Sequence, residues 1–243
     1  LGALYKWTDL IYTHFSARVP GTEDFLINPY GMMFDEITAS NLVKIDWNGK
    51  ILDDPLGMGV NEAGFVIHSC VHKARPEVNC VIHTHTRAGV AVSAMKCGLL
   101  PISQHAMRVQ PEVTYHDYEG VALYREEQER MARDLGKTAK AMILRNHGLL
   151  ACGPSIPQAF NTLYWLEQAC RIQVQLLSCQ RPLHRAQAGV GVVDESAGLS
   201  WVGLRHGTDA LRRRDPLPPL VVGHADDVPE IARAAMVEAR LAR

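Results

Sequence analysis

Short apolar segments alternate with longer amphipathic ones over the first three quarters of the chain, and this alternation is the feature that most constrains its fold. The short runs are bounded by turn residues, which is typical of buried strands, and they lie at residues 25–28, 80–82, 141–146 and 149–152. Apolar residues at helical spacing, with capping and stop signals, predict helices at residues 62–72, 87–96, 125–135 and 156–178. Helices interleaved with short strands favour a layered α/β domain.

A hairpin is predicted around Asn48-Gly49, because this pair lies between the alternating runs 42–46 and 50–52. Hairpins join antiparallel strands, so we expect a mixed or largely antiparallel sheet. The chain contains no Gly-x-Gly-x-x-Gly and no Gly-x-x-x-x-Gly-Lys sequence. The usual sequence support for a dinucleotide or P-loop site is therefore missing.

The composition narrows the class of protein and of partner. The 243 residues are 47% apolar, which is enough for one large domain with a buried core. The formal net charge of −1 gives no reason to expect a nucleic acid or an anionic membrane as partner. No segment approaches the roughly 20 apolar residues of a transmembrane helix. The six cysteines form no Cys-x-x-Cys pair, which favours reduced thiols in a cytoplasmic protein.

Two histidines one residue apart end the apolar run in "CVIHTH", at His83 and His85. Residues i and i+2 of a strand point to the same face, so the two imidazoles can converge on one ion. His147 is a natural third ligand, because it follows an apolar strand at a turn marked by glycine. Three neutral imidazoles suit a catalytic Zn²⁺ or another borderline divalent metal. The alternative is that these are ordinary polar residues at strand ends.

A second histidine pair, His68 and His72, has the i, i+4 spacing that also allows chelation on a helix. No glutamate follows His68 and the sequence offers no third ligand. We therefore interpret this pair as structural.

Three segments resemble the class II aldolase/adducin family, most closely its bacterial members related to the adducin head: "RPEVNCVIHTHTRAGVAVSAMKCGLLPIS", "VTYHDYEG" and "ILRNHGLLACG". The resemblance covers about residues 1–185 and leaves 186–243 as a C-terminal extension. It implies a three-layer α/β/α fold around a mixed, mostly antiparallel sheet, and a homo-oligomer, with a tetramer favoured. It also implies a zinc ion held by His83, His85 and His147.

The chain departs from the family's aldolases at two acid–base positions. Those enzymes carry a glutamate as fourth metal ligand and base, and Gly64 stands at that place here. Glu62, two residues earlier, is the candidate replacement, although it could equally be an N-terminal helix charge. The aldolases also carry a tyrosine acid near "LLPIS", where Gln104 or His105 falls, and His105 could donate a proton near neutral pH.

The family's phosphate pocket is altered as well. Thr13-His14 and Glu62-Ala63 replace its Gly-Asn and serine pairs, while Gly31 is retained. An acidic side chain would repel phosphate. His14, Ser16 and Arg18 could instead hold a carboxylate or a polar oxygen of a small-molecule substrate, Arg18 by a bidentate contact. A surface ion pair is the alternative for Arg18.

Three functions remain open from the sequence. The first is a metal-dependent lyase that cleaves a C–C bond in a small hydroxy-carbonyl or oxo-acid substrate through a metal-stabilised enediolate or enolate. The second is a non-catalytic assembly domain, like the adducin head, with a structural metal. The third is a sugar-phosphate epimerase, which the altered phosphate pocket disfavours.

Overall fold

The computed structural model describes residues 1–120, residues 125–179 and the single residue 183. Eight strands form one sheet in the order β4-β3-β2-β1-β5-β8-β7-β6. Their bounds are β1 His14–Arg18, β2 Phe25–Ile27, β3 Val43–Ile45, β4 Ile51–Asp53, β5 Cys80–Thr84, β6 Val113–His116, β7 Ala141–Leu144 and β8 Gly148–Gly153. Only β6 and β7 pair in parallel; every other neighbouring pair is antiparallel. The predicted mixed, mostly antiparallel sheet is confirmed.

Helices cover both faces of this sheet. They are α1 Glu62–Ala74, α2 Arg87–Ser93, α3 Gln104–Val109, α4 Arg125–Leu135 and α5 Ile156–Ser178. Because side chains alternate along a strand, Val81 and Leu150 pack with α1 and α4 on one face. Ile82 and Leu149 pack with α2, α3 and α5 on the other. The three-layer α/β/α architecture expected from the sequence is thereby confirmed.

The helix starts follow from the capping residues. The side chain of Asn61 accepts hydrogen bonds from the N–H groups of Ala63 and Gly64 at the start of α1, and Ser155 accepts from the N–H of Gln158 at the start of α5. Such bonds satisfy N–H groups that lack a partner in the first turn. The predicted starts at residues 62 and 156 are confirmed.

One helix is shorter than its sequence predicts, and two strands and one α-helix were not predicted. The helix predicted at 87–96 ends at Ser93, because the N–H of Met95 bonds to Val92 O in a tighter turn. Strand β1, helix α3 and strand β6 are additional. Strand β1 matters for the candidate site, because it lies in the middle of the sheet beside β5 and places His14 next to His83.

Several sequence predictions concern residues that the structure does not describe. The C-terminal extension 186–243 and its boundary at residue 185 lie outside the described residues. All six cysteines are described and free. Within the described ranges, no helix is both long and apolar enough to span a membrane.

Candidate metal centre

The three histidines predicted as metal ligands meet at one point. His83 lies near the end of β5, His85 follows it, and His147 lies in the turn between β7 and β8. The Nε2 atom of His85 is 2.9 Å from that of His83 and 3.0 Å from that of His147. One ligand atom from each residue falls within 4.8 Å of the others, which is a spacing that a single ion can bridge.

The turn that carries His147 depends on its two neighbours. Asn146 adopts a left-handed conformation with φ of 55°, which asparagine tolerates better than most residues. At position 148 a Cβ atom would lie 2.3 Å from the carbonyl oxygen of Thr84. Glycine is therefore required there for β8 to approach β5 closely enough to bring His147 to the other two imidazoles.

Hydrogen bonds at the far side of two rings fix their orientation. Nδ1 of His83 donates to the backbone carbonyl of Leu149 at 3.0 Å, and Nδ1 of His85 lies 3.1 Å from a carboxylate oxygen of Asp9. Since both partners can only accept, both Nδ1 atoms carry a hydrogen, and both Nε2 atoms face the neighbouring imidazoles. Partners of this kind are typical behind metal-binding histidines.

The electrostatics of the cluster favour a cation. Burial, with the neighbouring imidazoles, holds the pKa of His83 well below its usual range and lowers that of His147 to about 4. The rings of His83 and His147 are therefore neutral, so each can present a nitrogen lone pair to a metal ion. A zinc ion with bonds of about 2.0–2.1 Å would place tetrahedral ligand atoms roughly 3.4 Å apart. The donor set thus fits the ion after the rings separate by a few tenths of an ångström.

A cavity of about 720 Å³ opens on this cluster. His83, His85 and His147 line it, and Glu62 at the first turn of α1 lies exposed at its edge. Asp9 also lines it. No sequence pattern points to Asp9, because it contacts His85 from 76 positions away along the chain.

His14 occupies the place that the sequence analysis assigned to a missing glutamate. A Cβ atom at Gly64 would lie 2.8 Å from the His14 ring, so the ring fills the space into which a side chain at position 64 would project. His14 lines the cavity and is only 3% exposed, yet neither ring nitrogen has a hydrogen-bond partner within the described structure. Burial lowers its pKa to about 4.

Two other residues considered for substrate binding point elsewhere. The hydroxyl of Ser16 lies 2.6 Å from Nδ1 of His68 and 2.9 Å from Nε2 of His72. Arg18 donates to the backbone carbonyls of His72 and Val78. Neither Ser16 nor Arg18 lines the cavity, and Ser16 instead joins the His68–His72 pair in a buried hydrogen-bonded cluster.

His105 and Gly31 are also not brought to the cavity. His105 lies on α3 with its ring 4.9 Å from the ring of Trp165 on α5, and both helices cover the face of the sheet opposite to α1. Gly31 has φ of 88° and shapes a turn, while its neighbour Tyr30 lines the cavity. Of the non-ligand candidates, the structure therefore brings only Glu62 and His14 to the three histidines.

Comparison with known proteins identifies relatives that include enzymes. Residues 2–174 match the family described as Class II Aldolase and Adducin N-terminal domain. Alpha-adducin of Rattus norvegicus is 47% identical over 180 residues, which are 73% of this chain and 24% of that protein. The crystal structure of an aldolase II superfamily protein from Pseudomonas syringae is 52% identical, with a TM-score of 0.78 and coverage of 87% of this chain and 86% of that one. L-fuculose 1-phosphate aldolase from Glaciozyma antarctica is 25% identical, with a TM-score of 0.68 and coverage of 98% and 86%.

Proposed function

We propose that this chain, which belongs to the class II aldolase and adducin family, is a metal-dependent lyase that cleaves a C–C bond in a small hydroxy-carbonyl or oxo-acid compound. The observation that carries the proposal is the convergence of three imidazoles on the wall of a cavity of about 720 Å³. A cavity of this size can enclose a small molecule. The name of L-fuculose 1-phosphate aldolase, a relative over most of the chain, supports the reaction class.

Zinc is the ion that we propose for His83, His85 and His147, because three histidines with an open position are a common catalytic zinc site. When bound, the ion supplies a Lewis acid that stabilises negative charge on substrate oxygens. The protein's own part is orientation. Asp9 and the carbonyl of Leu149 hold two of the rings with Nε2 toward the cavity.

Glu62 is the group that we propose for proton transfer. In a retro-aldol cleavage, a base takes the proton of the hydroxyl β to the carbonyl. The C–O bond of this hydroxyl becomes a carbonyl as the adjacent C–C bond breaks. The electron pair of the broken C–C bond passes to the original carbonyl group, which becomes an enolate. A carboxylate oxygen of Glu62 can accept this proton from a molecule bound in the cavity, since Glu62 is at the cavity edge. His105 packs against Trp165, so we do not assign it this role.

A variant series tests this proposal. Cleavage of small hydroxy-ketones and oxo-acids would be compared for the wild type, Glu62→Gln and His147→Ala. Loss of a general base costs about 10²–10⁴-fold in rate, whereas loss of a metal ligand should abolish turnover. Glu129→Gln is the matched control, because it makes the same change at an exposed position on α4. It should leave the rate unchanged. Equal activity in Glu62→Gln would remove its role, and an active His147→Ala would contradict the proposal.

An assembly domain with a structural metal is the second candidate function. It is favoured by the 47% identity to alpha-adducin and by the absence of a carboxylate at Gly64. A protein that retains its metal and its oligomeric state but cleaves no compound of the panel would support it. In either case we propose a homo-oligomer, with a tetramer favoured, and a cytoplasmic location that the six free thiols support.

A further inference from the structure

The candidate metal centre has no negatively charged ligand within the part of the chain that the structure describes. His83, His85 and His147 are the one group of histidine, cysteine or acidic side chains there whose ligand atoms lie close enough together to share an ion. An imidazole that binds a metal through one ring nitrogen is neutral. The three ligands would therefore leave the positive charge of a divalent ion uncompensated.

The first turn of α1 does not supply the missing charge. Gly64 has no side chain, and a Cβ atom at this position would lie 2.8 Å from the ring of His14. Glu62 lies exposed at the edge of the cavity and is not part of the group that could hold the ion. A compensating carboxylate would therefore lie behind one of the ligands and not among them.

Asp9 is a carboxylate in such a place. Its Oδ2 atom lies 3.1 Å from Nδ1 of His85, whereas Nε2 of the same ring faces the other two imidazoles. Behind His83 there is only the uncharged carbonyl of Leu149. Among the ion pairs of the described residues, the pair of Asp9 and His85 is the only one that includes one of the three histidines. A carboxylate bonded to Nδ1 makes the imidazole a stronger ligand and brings a negative charge within one ring of the ion.

The turn that presents Asp9 is strained, and packing does not explain the strain. Leu10 has a left-handed conformation with φ of 50°, which is unfavourable for any residue with a Cβ atom. Its side chain is 63% exposed, so the turn gains little from burying it. Backbone strain of this kind is typical of functional positions, where the surrounding structure holds it in place.

The same turn is attached to the strand beside the metal ligands. The N–H of Asp9 donates to the hydroxyl of Thr13 at 3.2 Å, and the N–H of Tyr12 donates to the carbonyl of Asp9 at 2.9 Å. Thr13 is fully buried and directly precedes β1, whose first residue, His14, pairs with His83. The backbone of Asp9 is therefore held in a fixed position relative to the histidine cluster.

We propose that Asp9 is a positioning residue that supplies the negative charge of the metal centre through His85. The inference rests on the metal site of the proposed lyase, and it accounts for a site that has a glycine at position 64. The side chain of Asp9 is half exposed, so salt screens part of its attraction for the ion. Loss of this charge should weaken zinc binding, and the effect should be larger at low ionic strength than at high ionic strength.

Zinc affinity, measured by competition with a chelator of known affinity, tests this role without any turnover. Asp9→Asn removes the charge but retains an oxygen that can accept from Nδ1 of His85. It should weaken zinc binding by about 10–100-fold at low salt, and by less as the ionic strength rises. Asp53→Asn is the matched control, because it removes a carboxylate at an exposed position on β4, at the edge of the sheet. It should leave the zinc affinity unchanged.

A second pair of variants tests the strained turn. Leu10→Gly permits the left-handed conformation and should retain the zinc affinity of the wild type. Leu10→Pro fixes φ near about −65°, which should move Asp9 away from His85 and weaken zinc binding as Asp9→Asn does. Circular dichroism of the metal-free variants would be compared with that of the wild type.

Equal zinc affinity of Asp9→Asn and the wild type would overturn the inference. A loss that does not change with ionic strength would overturn it as well, because the effect would then not be electrostatic. Unchanged zinc affinity in Leu10→Pro would contradict the role of the turn. A wild type that shows the expected zinc affinities but cleaves no compound would overturn the lyase proposal alone, so the two failures are distinguishable.

Discussion

Replacing Gly64 by alanine tests whether the His14 ring fills the place of a side chain at this position. The added Cβ would lie 2.8 Å from Cγ of His14, and Cγ can move only if the side chain leaves its rotamer or the strand shifts. Overpacking of this kind costs about 1–3 kcal/mol, while alanine gains up to about 1 kcal/mol over glycine in a helix. Gly64→Ala should therefore lower the free energy of unfolding by about 1 kcal/mol.

The effect of Gly64→Ala on the free energy of unfolding should change sign once the His14 ring is removed. In a His14→Ala background the contact is gone, so Gly64→Ala should stabilise by about 0.5–1 kcal/mol. The double-mutant cycle then has a coupling energy on the order of 1–3 kcal/mol. Urea unfolding followed by circular dichroism at one fixed protein concentration measures it. The matched cycle with His105→Ala, a histidine on the opposite layer, should give additive effects. A coupling near zero between positions 14 and 64 would refute the packing assignment.

Three further predictions concern the metal, a buried carboxyl and assembly. The purified wild type should hold about one divalent ion per chain and His83→Ala much less; elemental analysis that finds equal content in both would contradict the site. Burial raises the pKa of Glu167 to about 7, above the carboxyl value of about 4.3 in an unfolded chain, so its ionisation opposes folding at pH 8 and less so as the pH falls toward 5. Glu167→Gln should therefore raise the free energy of unfolding by up to a few kcal/mol at pH 8 and by less at pH 5, as measured by urea unfolding. An equal gain at the two pH values would argue against a raised pKa for this carboxyl. Light scattering should report a closed oligomer, with a tetramer favoured, and a monomer at micromolar concentration would contradict this.

The features that the sequence predicted correctly have local signals. Asn61 and Ser155 are capping residues followed by helical periodicity, so the starts of α1 and α5 could be identified from a few neighbouring residues. The convergence of His83 and His85 follows from the two-residue period of a strand. His147 could be added because the glycine after it marks a turn.

The features that the sequence did not predict depend on contacts between distant residues. Strand β1 has no alternation of apolar residues, because the side chains that it buries are those of His14 and Ser16. Ser16 contacts His68, which is 52 positions away, so it resembled a free polar residue. Likewise, the sequence showed that Gly64 lacks a carboxylate but not that the His14 ring takes its place.

Metal reconstitution of the wild-type protein tests the central claim most directly. The chelated protein would be titrated with zinc while cleavage of a panel of small hydroxy-ketones and oxo-acids is followed. We expect no cleavage without metal and a rate that rises to a plateau at one ion per chain, as a single site formed by His83, His85 and His147 requires. Cleavage that persists in the chelated protein, or a protein that binds one ion and cleaves nothing, would contradict the account.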